Sequence, residues 1–547
     1  MKAQRCVRWP APLALVLSVV AGLGVMGLVA LFAVVSAQSP GTVSGVVVDA
    51  EGPVVGAVVR QQTTDNATVS AADGSFTLGS LPEGVTVTVA AWDEGYLVGG
   101  AQVVPPQTGV TLTLRRHYTT DNPDYAWFSS NDPEDPISCV HCMVAHPQWR
   151  ANAHANAGTN PRFFSLYNGT DVVGSATVTP GYKLGFPGTA GNCATCHAPA
   201  AAVRGSRPFA AADMNELQGV EQEGVFCEFC HKAGDVYLNP ATGLPYPNAP
   251  GVLSMRLYRP TTGGAEQLFF GPFDDVTRRV SYLELEKRSQ FCAPCHQFSF
   301  WGTPIYESFR EWLESPYPAR GIECQTCHMA PTGVDYFVFP EKGGLIRDPD
   351  LIASHLQPGA ADETLLQNTV AMSVTVDQAL DGLRVTVVIT NTEAGHHVPT
   401  DFPGRHMILT VAATDREGQA LARQSGPTVP DWGGAEAGHM GRAFAKVLRD
   451  VATGQAPVVS YWKQALIVSD NRIPAMGSDT SVYAFAAPTS GGLVTVTAQL
   501  RFRRLFQDVM DARGWDTPDI LMEEVDVVVN AQPWSHLFLP LIWRGYD

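Results

Sequence analysis

One five-residue phrase occurs four times between Cys193 and His328 and strongly limits what this chain can be. Each copy has two cysteines three positions apart and a histidine directly after the second. The copies are Cys193-Ala194-Thr195-Cys196-His197, Cys227-Glu228-Phe229-Cys230-His231, Cys292-Ala293-Pro294-Cys295-His296 and Cys324-Gln325-Thr326-Cys327-His328. On one helical turn, both thiols can form thioethers with the two vinyl groups of one heme edge, and the histidine can reach the iron. We therefore predict heme c at four sites, with His197, His231, His296 and His328 as iron ligands.

Two other uses of paired cysteines fit less well. Structural zinc sites take two nearby cysteine pairs, or one pair with a spaced histidine pair, whereas these phrases begin 34, 65 and 32 residues apart. A redox Cys-x-x-Cys pair does not require a following histidine. The chain has 14 histidines in 547 residues, so a given position is histidine about one time in forty and chance does not explain four copies.

Composition describes what surrounds the hemes. With 547 residues, of which 45% are hydrophobic, the chain is long enough for several domains. The formal net charge of −17 becomes more negative with heme propionates, so nucleic acid is not an expected partner. Of the 11 cysteines, ten form Cys-x-x-Cys pairs and Cys6 stands alone near the N-terminus, which argues against a separate disulfide framework.

Residues 1–38 have the pattern of a targeting segment. Lys2, Arg5 and Arg8 precede an uncharged, largely apolar run of 23 residues from Leu13 to Val35, and small residues follow before Gln38. The run suits either a cleaved signal peptide or a retained N-terminal membrane anchor. Both predict export, in agreement with c-type heme attachment outside the cytoplasm, and hence a periplasmic, cell-surface or membrane-anchored protein on the outer face. Membrane contact is expected only if the segment is retained.

Residues 41–115 are predicted to form a β-sandwich. Short β-branched runs alternate with turn sequences such as Asp73-Gly74 and Pro82-Glu83-Gly84. The order Gly45-Val46-Val47, Gly56-Ala57-Val58, Asp73-Gly74-Ser75-Phe76, Leu81-Pro82-Glu83-Gly84 and Gly95-Tyr96 resembles the carboxypeptidase regulatory-like domains. The resemblance implies a transthyretin-like or Ig-like sandwich that acts as a spacer or adhesion module, with carbohydrate or the cell surface as its partner.

Residues 116–136, rich in Asp, Asn, Pro and Tyr, are predicted to be a linker that leads into a fifth cysteine pair. Cys139-Val140-His141-Cys142-Met143 has the heme spacing but carries Met where the histidine is expected. Together with Trp149, His154 and Ala155, this segment resembles multiheme c-type cytochromes related to the tetraheme electron acceptor of hydroxylamine oxidoreductase; Met143 is the departure from their pattern.

The Met143 departure leaves three interpretations open. Met143 can itself be an axial ligand, because thioether sulfur ligates heme iron and tends to raise its potential. Alternatively, His146 can be the axial ligand of this heme. Alternatively, Cys139 and Cys142 form a disulfide or remain thiols, and the chain carries four hemes rather than five.

The histidine supply allows two imidazoles at most irons. Four proximal histidines leave ten others, and four hemes need four more. Within the family resemblance, Ser354-His355 ahead of Pro358-Gly359 and the Gly395-His396-His397 phrase look like distal-ligand segments. His154, His355 and His396 are the first distal candidates, while His146, His397 and His117 compete for the fourth. His406, His439 and His536 are interpreted as structural or exposed.

The remaining regions complete a multidomain prediction. Residues 137–360 form a mostly irregular multiheme domain with short helices near Glu216–Glu223, Leu283–Cys295 and Ile305–Glu314. Residues 365–530 return to strand patterns and predict a second, C-terminal β-sandwich, with Asp415–Gly418 as a turn and a helix before Arg513. Residues 531–547 are an apolar tail too short to span a membrane.

Three function classes remain. The first, which the ligand supply favours, is an exported electron carrier that serves a redox partner protein or an extracellular acceptor. The second is a redox enzyme that acts on a small nitrogen or sulfur compound at one open heme. The third is a surface assembly protein whose hemes conduct electrons. No hydrolase motif or phosphate loop is present in the sequence.

Overall fold

The computed structural model describes residues 40–134, 138–204, 212–261, 267–379 and 382–533. The predicted targeting segment with Cys6, and most of the predicted apolar tail with His536, lie outside the described residues. Within the described ranges, no helix is long and apolar enough to cross a membrane.

The first β-region has two sheets around one hydrophobic core. Its strands are β1 Pro40–Val48, β2 Val58–Gln61, β3 Ala67–Val69, β4 Ser75–Pro82, β5 Val87–Trp92, β6 Tyr96–Leu97, β7 Gly99–Val103, β8 Gln107–Thr113 and β9 Arg115–Arg116. The sheet orders are β4-β1-β8 and β3-β2-β5-β7, and β6 pairs with β9. Alternating residues such as Val43, Val47 and Leu112 are fully buried between the sheets. Strand β1 runs parallel to β8, and a Cβ on Gly45 would lie 1.8 Å from the Val110 carbonyl oxygen, so this close approach requires glycine.

The middle of the chain consists of short helices joined by turns. They are α1 Ala145–Arg150, α2 Pro161–Asn168, α3 Tyr182–Gly185, α4 Ala194–His197, α5 Pro199–Ala202, α6 Cys227–Lys232, α7 Ala293–His296, α8 Ser308–Leu313 and α9 Cys324–His328. The strands here are β10 Ala233–Val236, β11 Met255–Leu257, β12 Phe269–Gly271, β13 Val280–Tyr282, β14 Phe298–Phe300 and β15 Thr303–Tyr306. Short 3-10 helices occupy Cys139–His141, Met214–Glu216, Gly219–Glu223, Gly251–Ser254, Glu284–Lys287, Ser289–Phe291, Pro318–Arg320, Pro340–Lys342 and Pro349–Leu351. Helices this short are unstable alone, so tertiary contacts must hold them.

The local helix predictions are only partly correct. The stretch Leu283–Cys295 is divided into 3-10 turns before α7 rather than forming one helix. Residues Ile305 and Tyr306 belong to β15, and the helix begins only at Ser308. Tertiary pairing overrides helix propensity here, because Ile305 is fully buried in a cluster with Leu448 and Ala465.

The last region again has two sheets around one core. Its elements are α10 Glu363–Gln367, β16 Val370–Gln378, β17 Gly382–Asn391, β18 His406–Asp415, β19 Arg423–Ser425, β20 Gly441–Asp450, β21 Ala465–Asp470, β22 Ser478–Ala486, β23 Gly492–Arg503, α11 Gln507–Arg513 and β24 Ile520–Ala531, with a 3-10 segment at Asp431–Glu436. The sheet orders are β16-β17-β22-β19 and β21-β20-β18-β23-β24. Val385, Val387, Leu409, Val496 and Leu500 lie in their shared core. The prediction of a multidomain chain with many β-sheets and some helices is confirmed.

Two compact units divide the chain. Among the described residues, the first includes those up to Asp121 together with Tyr258–Glu284 and Leu345–Asp348, and the second includes Asn122–Leu257, Leu285–Gly344 and those from Pro349. Within the first unit, Arg347 lies 2.5 Å from Asp275 in a buried ion pair. The first unit therefore takes two segments from the middle of the sequence in addition to the early strands.

Candidate heme-binding site

Each of the four heme phrases folds as one short helical turn in the second unit. Helices α4, α6, α7 and α9 hold the phrases, with a histidine at or next to the last helical residue. A helical turn brings the two cysteines to the same side, as attachment to one heme edge requires. Gly251 allows the chain to pass over the first phrase: it has φ of +59°, and a Cβ there would meet the Thr195 carbonyl oxygen at 2.2 Å and Cys196 Sγ at 2.8 Å.

The fifth cysteine pair differs from the four in its local structure. Cys139–His141 is a 3-10 turn capped by the Ser138 side chain, and Cys142 follows the turn. Cys139 and Cys142 are free, so no disulfide joins them in the structure. Met143 is 37% exposed. Nε2 of the buried His146 is 3.1 Å from Asn131 Oδ1, so this nitrogen has a protein partner.

Thiol contacts connect the cysteine pairs to one another. The thiols of three pairs shift one another's pKa, namely Cys139 with Cys227, Cys196 with Cys295, and Cys292 with Cys324. The contact with Cys139 lowers the pKa of Cys227 to about 7. The α7 phrase therefore interacts with both the α4 and the α9 phrases, and Cys230 acts electrostatically on Cys292 and Cys295. The five pairs therefore form one connected cluster with the α7 phrase in its middle.

Three of the four phrase histidines face a second histidine from elsewhere in the chain. The ring centroids of His296 and His154 are 6.3 Å apart, those of His231 and His355 are 6.5 Å apart, and those of His328 and His396 are 6.4 Å apart. Two metal–imidazole bonds of about 2 Å, with a ring radius of roughly 1.2 Å on each side, give a separation of about 6.4 Å. Each pair thus has the centroid separation expected for two imidazoles that bind one metal atom.

An imidazole that binds iron through Nε2 usually has a hydrogen-bond partner at Nδ1, so the Nδ1 partners show whether these rings fit an iron. Protein oxygens occupy the Nδ1 position of four of them: Gln357 Oε1 at 2.7 Å from His154, Asp401 Oδ2 at 3.5 Å from His296, the Pro358 carbonyl at 2.8 Å from His328 and the His397 carbonyl at 2.9 Å from His396. Such partners fix the ring orientation and reserve Nε2 for a metal. The residues therefore fit axial ligands of heme.

Burial keeps most of these rings neutral, which is the form that binds iron. Burial lowers the pKa of His154, His197, His328 and His355 to about 4. His296 differs, because the hydrogen bond and charge of Asp401 outweigh burial and raise its pKa.

His197 has a different environment. The ring against it is Phe163, at 4.3 Å between centroids and 26° between planes. Its buried Nδ1 atom makes no hydrogen bond, although the backbone of Ala157 lies near the ring. Among the described histidines, none stands opposite His197 at the 6.3 to 6.5 Å spacing of the other three pairs.

The three competing histidines have other surroundings. His397 Nδ1 is 3.6 Å from Glu311 Oε1, within a buried ion-pair network. His117 belongs to the first unit, where its ring contacts Tyr258 and Phe270. His146 stacks at an angle on Trp149. His406 is buried with Nδ1 on the Gly404 carbonyl, and His439 is largely exposed beside Glu436, as the sequence predicted for structural or exposed histidines.

The sequence did not reveal the residues behind the ligands. Asp401, Gln357 and Glu286 contact His296, His154 and His231, respectively. Asp401 and Gln357 both have positive φ, of 60° and 43°. The turn formers around them, Pro399 and Pro403 in one case and Pro358-Gly359 in the other, were the only local signal.

Three comparisons relate the chain to known proteins. No protein-family model and no curated protein matches the sequence. The chain is similar to a solved penta-heme cytochrome c552 from Thermochromatium tepidum, with a TM-score of 0.53 and 19% identity over 72% of this chain and 99% of that chain. A structural genomics target, SoR45, aligns with a TM-score of only 0.14 and 11% identity over 33% of this chain and 97% of its own, which supports no argument.

The likeness to the penta-heme cytochrome shows the fold of a multiheme cytochrome c. This fold agrees with the prediction of a multiheme c-type cytochrome, and heme c as the cofactor stays a prediction. The relation to the hydroxylamine oxidoreductase acceptor and the carboxypeptidase regulatory-like module stay predictions.

Proposed function

We propose that this protein is an exported multiheme c-type cytochrome that transfers electrons through four or five covalently bound hemes. The observation that carries the proposal is the set of three histidine pairs with centroids 6.3 to 6.5 Å apart, each joining a phrase histidine to one outside the phrases. An iron with two imidazoles has no position for a substrate, and heme then supplies reversible one-electron exchange. The pairs therefore favour a carrier.

The proposed attachment residues are the cysteines of the four complete phrases, namely Cys193, Cys196, Cys227, Cys230, Cys292, Cys295, Cys324 and Cys327. Cys139 and Cys142 would hold the fifth heme. The proposed ligand pairs are His296 with His154, His231 with His355 and His328 with His396. Met143, which is 37% exposed, remains the proposed ligand of the fifth site. The likeness to a penta-heme protein supports testing for five hemes.

The proposal also covers location, partners and domain class. Export follows from the N-terminal segment and from the chemistry of heme attachment. The net charge of −17 favours a cationic protein or a metal ion as redox partner. The early β-region is proposed to be a carboxypeptidase regulatory-like sandwich that contacts carbohydrate or the cell surface, and the C-terminal region a second sandwich.

Two measurements on the purified protein test the proposal. Intact mass should exceed the processed polypeptide by four or five hemes, and a gain of two or fewer would contradict the reading. Optical and EPR spectra should be dominated by low-spin iron, because two imidazoles give a strong ligand field. A mainly high-spin spectrum would contradict bis-histidine ligation.

The environment of His197 favours a second candidate function. Because none of the described histidines stands at the ligand spacing from His197, the α4 heme is the best candidate for an open coordination position. An enzyme that converts a small nitrogen or sulfur compound would use this position rather than Met143. After stopped-flow reduction, nitrite, hydroxylamine or tetrathionate should be added in turn. Catalytic reoxidation, with carbon monoxide binding to one heme, would favour the enzyme; the absence of both would favour the carrier.

A further inference from the structure

Three arginines from distant segments of the second unit form a cluster, namely Arg162 in α2, Arg405 directly before β18 and Arg504 directly after β23. In the antiparallel ladder of β18 and β23, His406 pairs with Arg503. Arg405 and Arg504 are each the next residue beyond that pair, so the register brings them to neighbouring positions. Like charges that face each other across two strands destabilise a sheet.

Apolar packing brings α2 to the same place. Leu166, one helical turn after Arg162, belongs to a hydrophobic cluster that also contains Phe402 and Leu505. A Cβ on Gly404 would lie 2.4 Å from Leu505 Cδ1, so the segments before β18 and after β23 touch each other. The three elements that carry the arginines are therefore held together by side-chain contacts that do not involve the charges.

The hydrogen-bond acceptors of the arginine cluster are neutral. Arg162 donates to the Asp516 carbonyl and Arg405 to the Thr400 carbonyl, both at 3.2 Å. Nε of Arg504 is buried and makes no hydrogen bond. Among the described residues, none of the three arginines forms an ion pair, although all three side chains are half-buried.

The positive charge of the cluster remains in excess. Burial lowers the pKa of the Arg504 guanidinium, and the positive charges of Arg162 and Arg405 lower it further. Asp401 is attracted by Arg405, but its Oδ1 already accepts two backbone N–H groups at 3.0 Å each. Charges removed from water are normally paired, so the cluster requires an anionic partner.

The arginine cluster lies beside the α4 phrase. Arg162 directly precedes Phe163, whose ring stacks on His197 at 4.3 Å. The Phe402 ring centroid is 5.9 Å from that of Tyr461, and both cysteines of the α4 phrase act electrostatically on Tyr461. Contacts from two directions thus connect the cluster to the same heme phrase.

We propose that Arg162, Arg405 and Arg504 form a binding site for an anionic oxygen group beside the α4 phrase. Planar guanidinium groups bind carboxylates and oxyanions through paired, charge-assisted hydrogen bonds. Two sources have this chemistry. The first is a propionate carboxylate of the α4 heme, a source that rests on the proposed function. The second is a small free oxyanion, which would be held close to the iron with the best candidate open position.

Two measurements on the full-length holoprotein test the site in Arg504→Gln. Calorimetric titration with sodium sulfate, a redox-inert oxyanion, at constant ionic strength measures binding of a free anion. The propionate-bending band in the resonance Raman spectrum, recorded without sulfate, reports hydrogen bonding to the heme carboxylates. Arg416→Gln is the matched control, because Arg416 is exposed in the turn after β18. Arg162→Gln removes a second member of the cluster from a different element.

The outcomes distinguish the two sources. Sulfate affinity that falls by roughly tenfold or more in Arg504→Gln supports the free oxyanion, because a hydrogen bond to a charged group contributes at least that factor. A shifted propionate band in Arg504→Gln, absent from Arg416→Gln, supports the heme carboxylate. If Arg504→Gln does not fold, Arg162→Gln decides by the same two criteria.

Other results would overturn the inference. An unchanged propionate band together with either no sulfate binding in the wild type or unweakened binding in the cluster variants would refute the arginine site and leave the cytochrome proposal intact. Equal effects in Arg416→Gln would refute it as well. Wild-type protein without covalent heme would instead overturn the proposed function, and the sulfate titration would then decide the arginine site by itself.

Discussion

Replacing Arg472 by Met should destabilise the protein through the buried ion-pair network that supports the distal-ligand segment. The Arg472 side chain is 3% exposed and lies 2.6 Å from Glu311 and 2.7 Å from Asp470. Glu311 in turn accepts from Thr400 Oγ1 at 2.6 Å and from the His397 backbone N–H at 3.1 Å. The network therefore tethers the segment that also carries His396 and Asp401.

The expected cost follows from what the substitution leaves behind. Removing one partner of a buried ion pair typically costs about 3–5 kcal/mol, because the other charge loses its compensation. Glu311 keeps two hydrogen-bond donors, and Asp470, at 30% exposure, can be hydrated. Both facts favour the lower end of this range, a loss of about 3 kcal/mol in the free energy of unfolding. For a region of this size that corresponds to a fall of about 6–12 °C in the midpoint of thermal unfolding.

Calorimetry of the holoprotein, with circular dichroism as a second probe, measures this effect. Arg501→Met is the matched control, because Arg501 pairs with Glu436 at 3.7 Å and both side chains are about a quarter exposed; an exposed pair contributes about 0–1 kcal/mol. Equal destabilisation by the two variants would refute the argument that burial gives the Arg472 pairs their importance.

Three further predictions concern the hemes. His355→Ala and His396→Ala should each open one iron and add a high-spin EPR signal at unchanged heme mass, whereas the exposed His439→Ala should not; unaltered spectra in both ligand variants would redirect the assignment to His146, His397 and His117. Met143→His should convert a four-heme population to five by intact mass, and no gain would mean that the site lacks room for a macrocycle. Reduction by a cationic donor should slow as ionic strength rises, because salt screens attraction to a chain of net charge −17; a rate independent of salt would exclude electrostatic steering.

The sequence was sufficient to predict those features whose chemistry requires residues close together in the chain. Covalent attachment requires two cysteines and a histidine on one turn, so the four phrases could be recognised without a structure, and their turns form α4, α6, α7 and α9. Strands with regular apolar alternation, such as β17 and β23, can likewise be recognised from the sequence.

Strand β20 is hard to predict from the sequence for a physical reason. Its sequence carries Arg442, Lys446 and Arg449, which interrupt the apolar pattern. Lys446 is nevertheless buried, because its ammonium group lies 2.5 Å from Glu307 and donates to the Pro304 and Ile305 carbonyls. The partner that compensates the charge of Lys446 lies far away in the sequence. The residues next to Lys446 in the chain therefore do not indicate that it is buried.

The sequence by itself determined the number of complete Cys-x-x-Cys-His phrases, the histidine that ends each one and the acidic character of the chain, because each depends on residue identity or short spacing. Resemblance to a family selected His154, His355 and His396, but only the tertiary structure decided which phrase histidine each one faces. It also decided that Phe163 lies against His197 and that Asp401 lies behind His296. These pairings join residues far apart in the chain, and contacts of that kind depend on the packing of the whole unit, which no local pattern records.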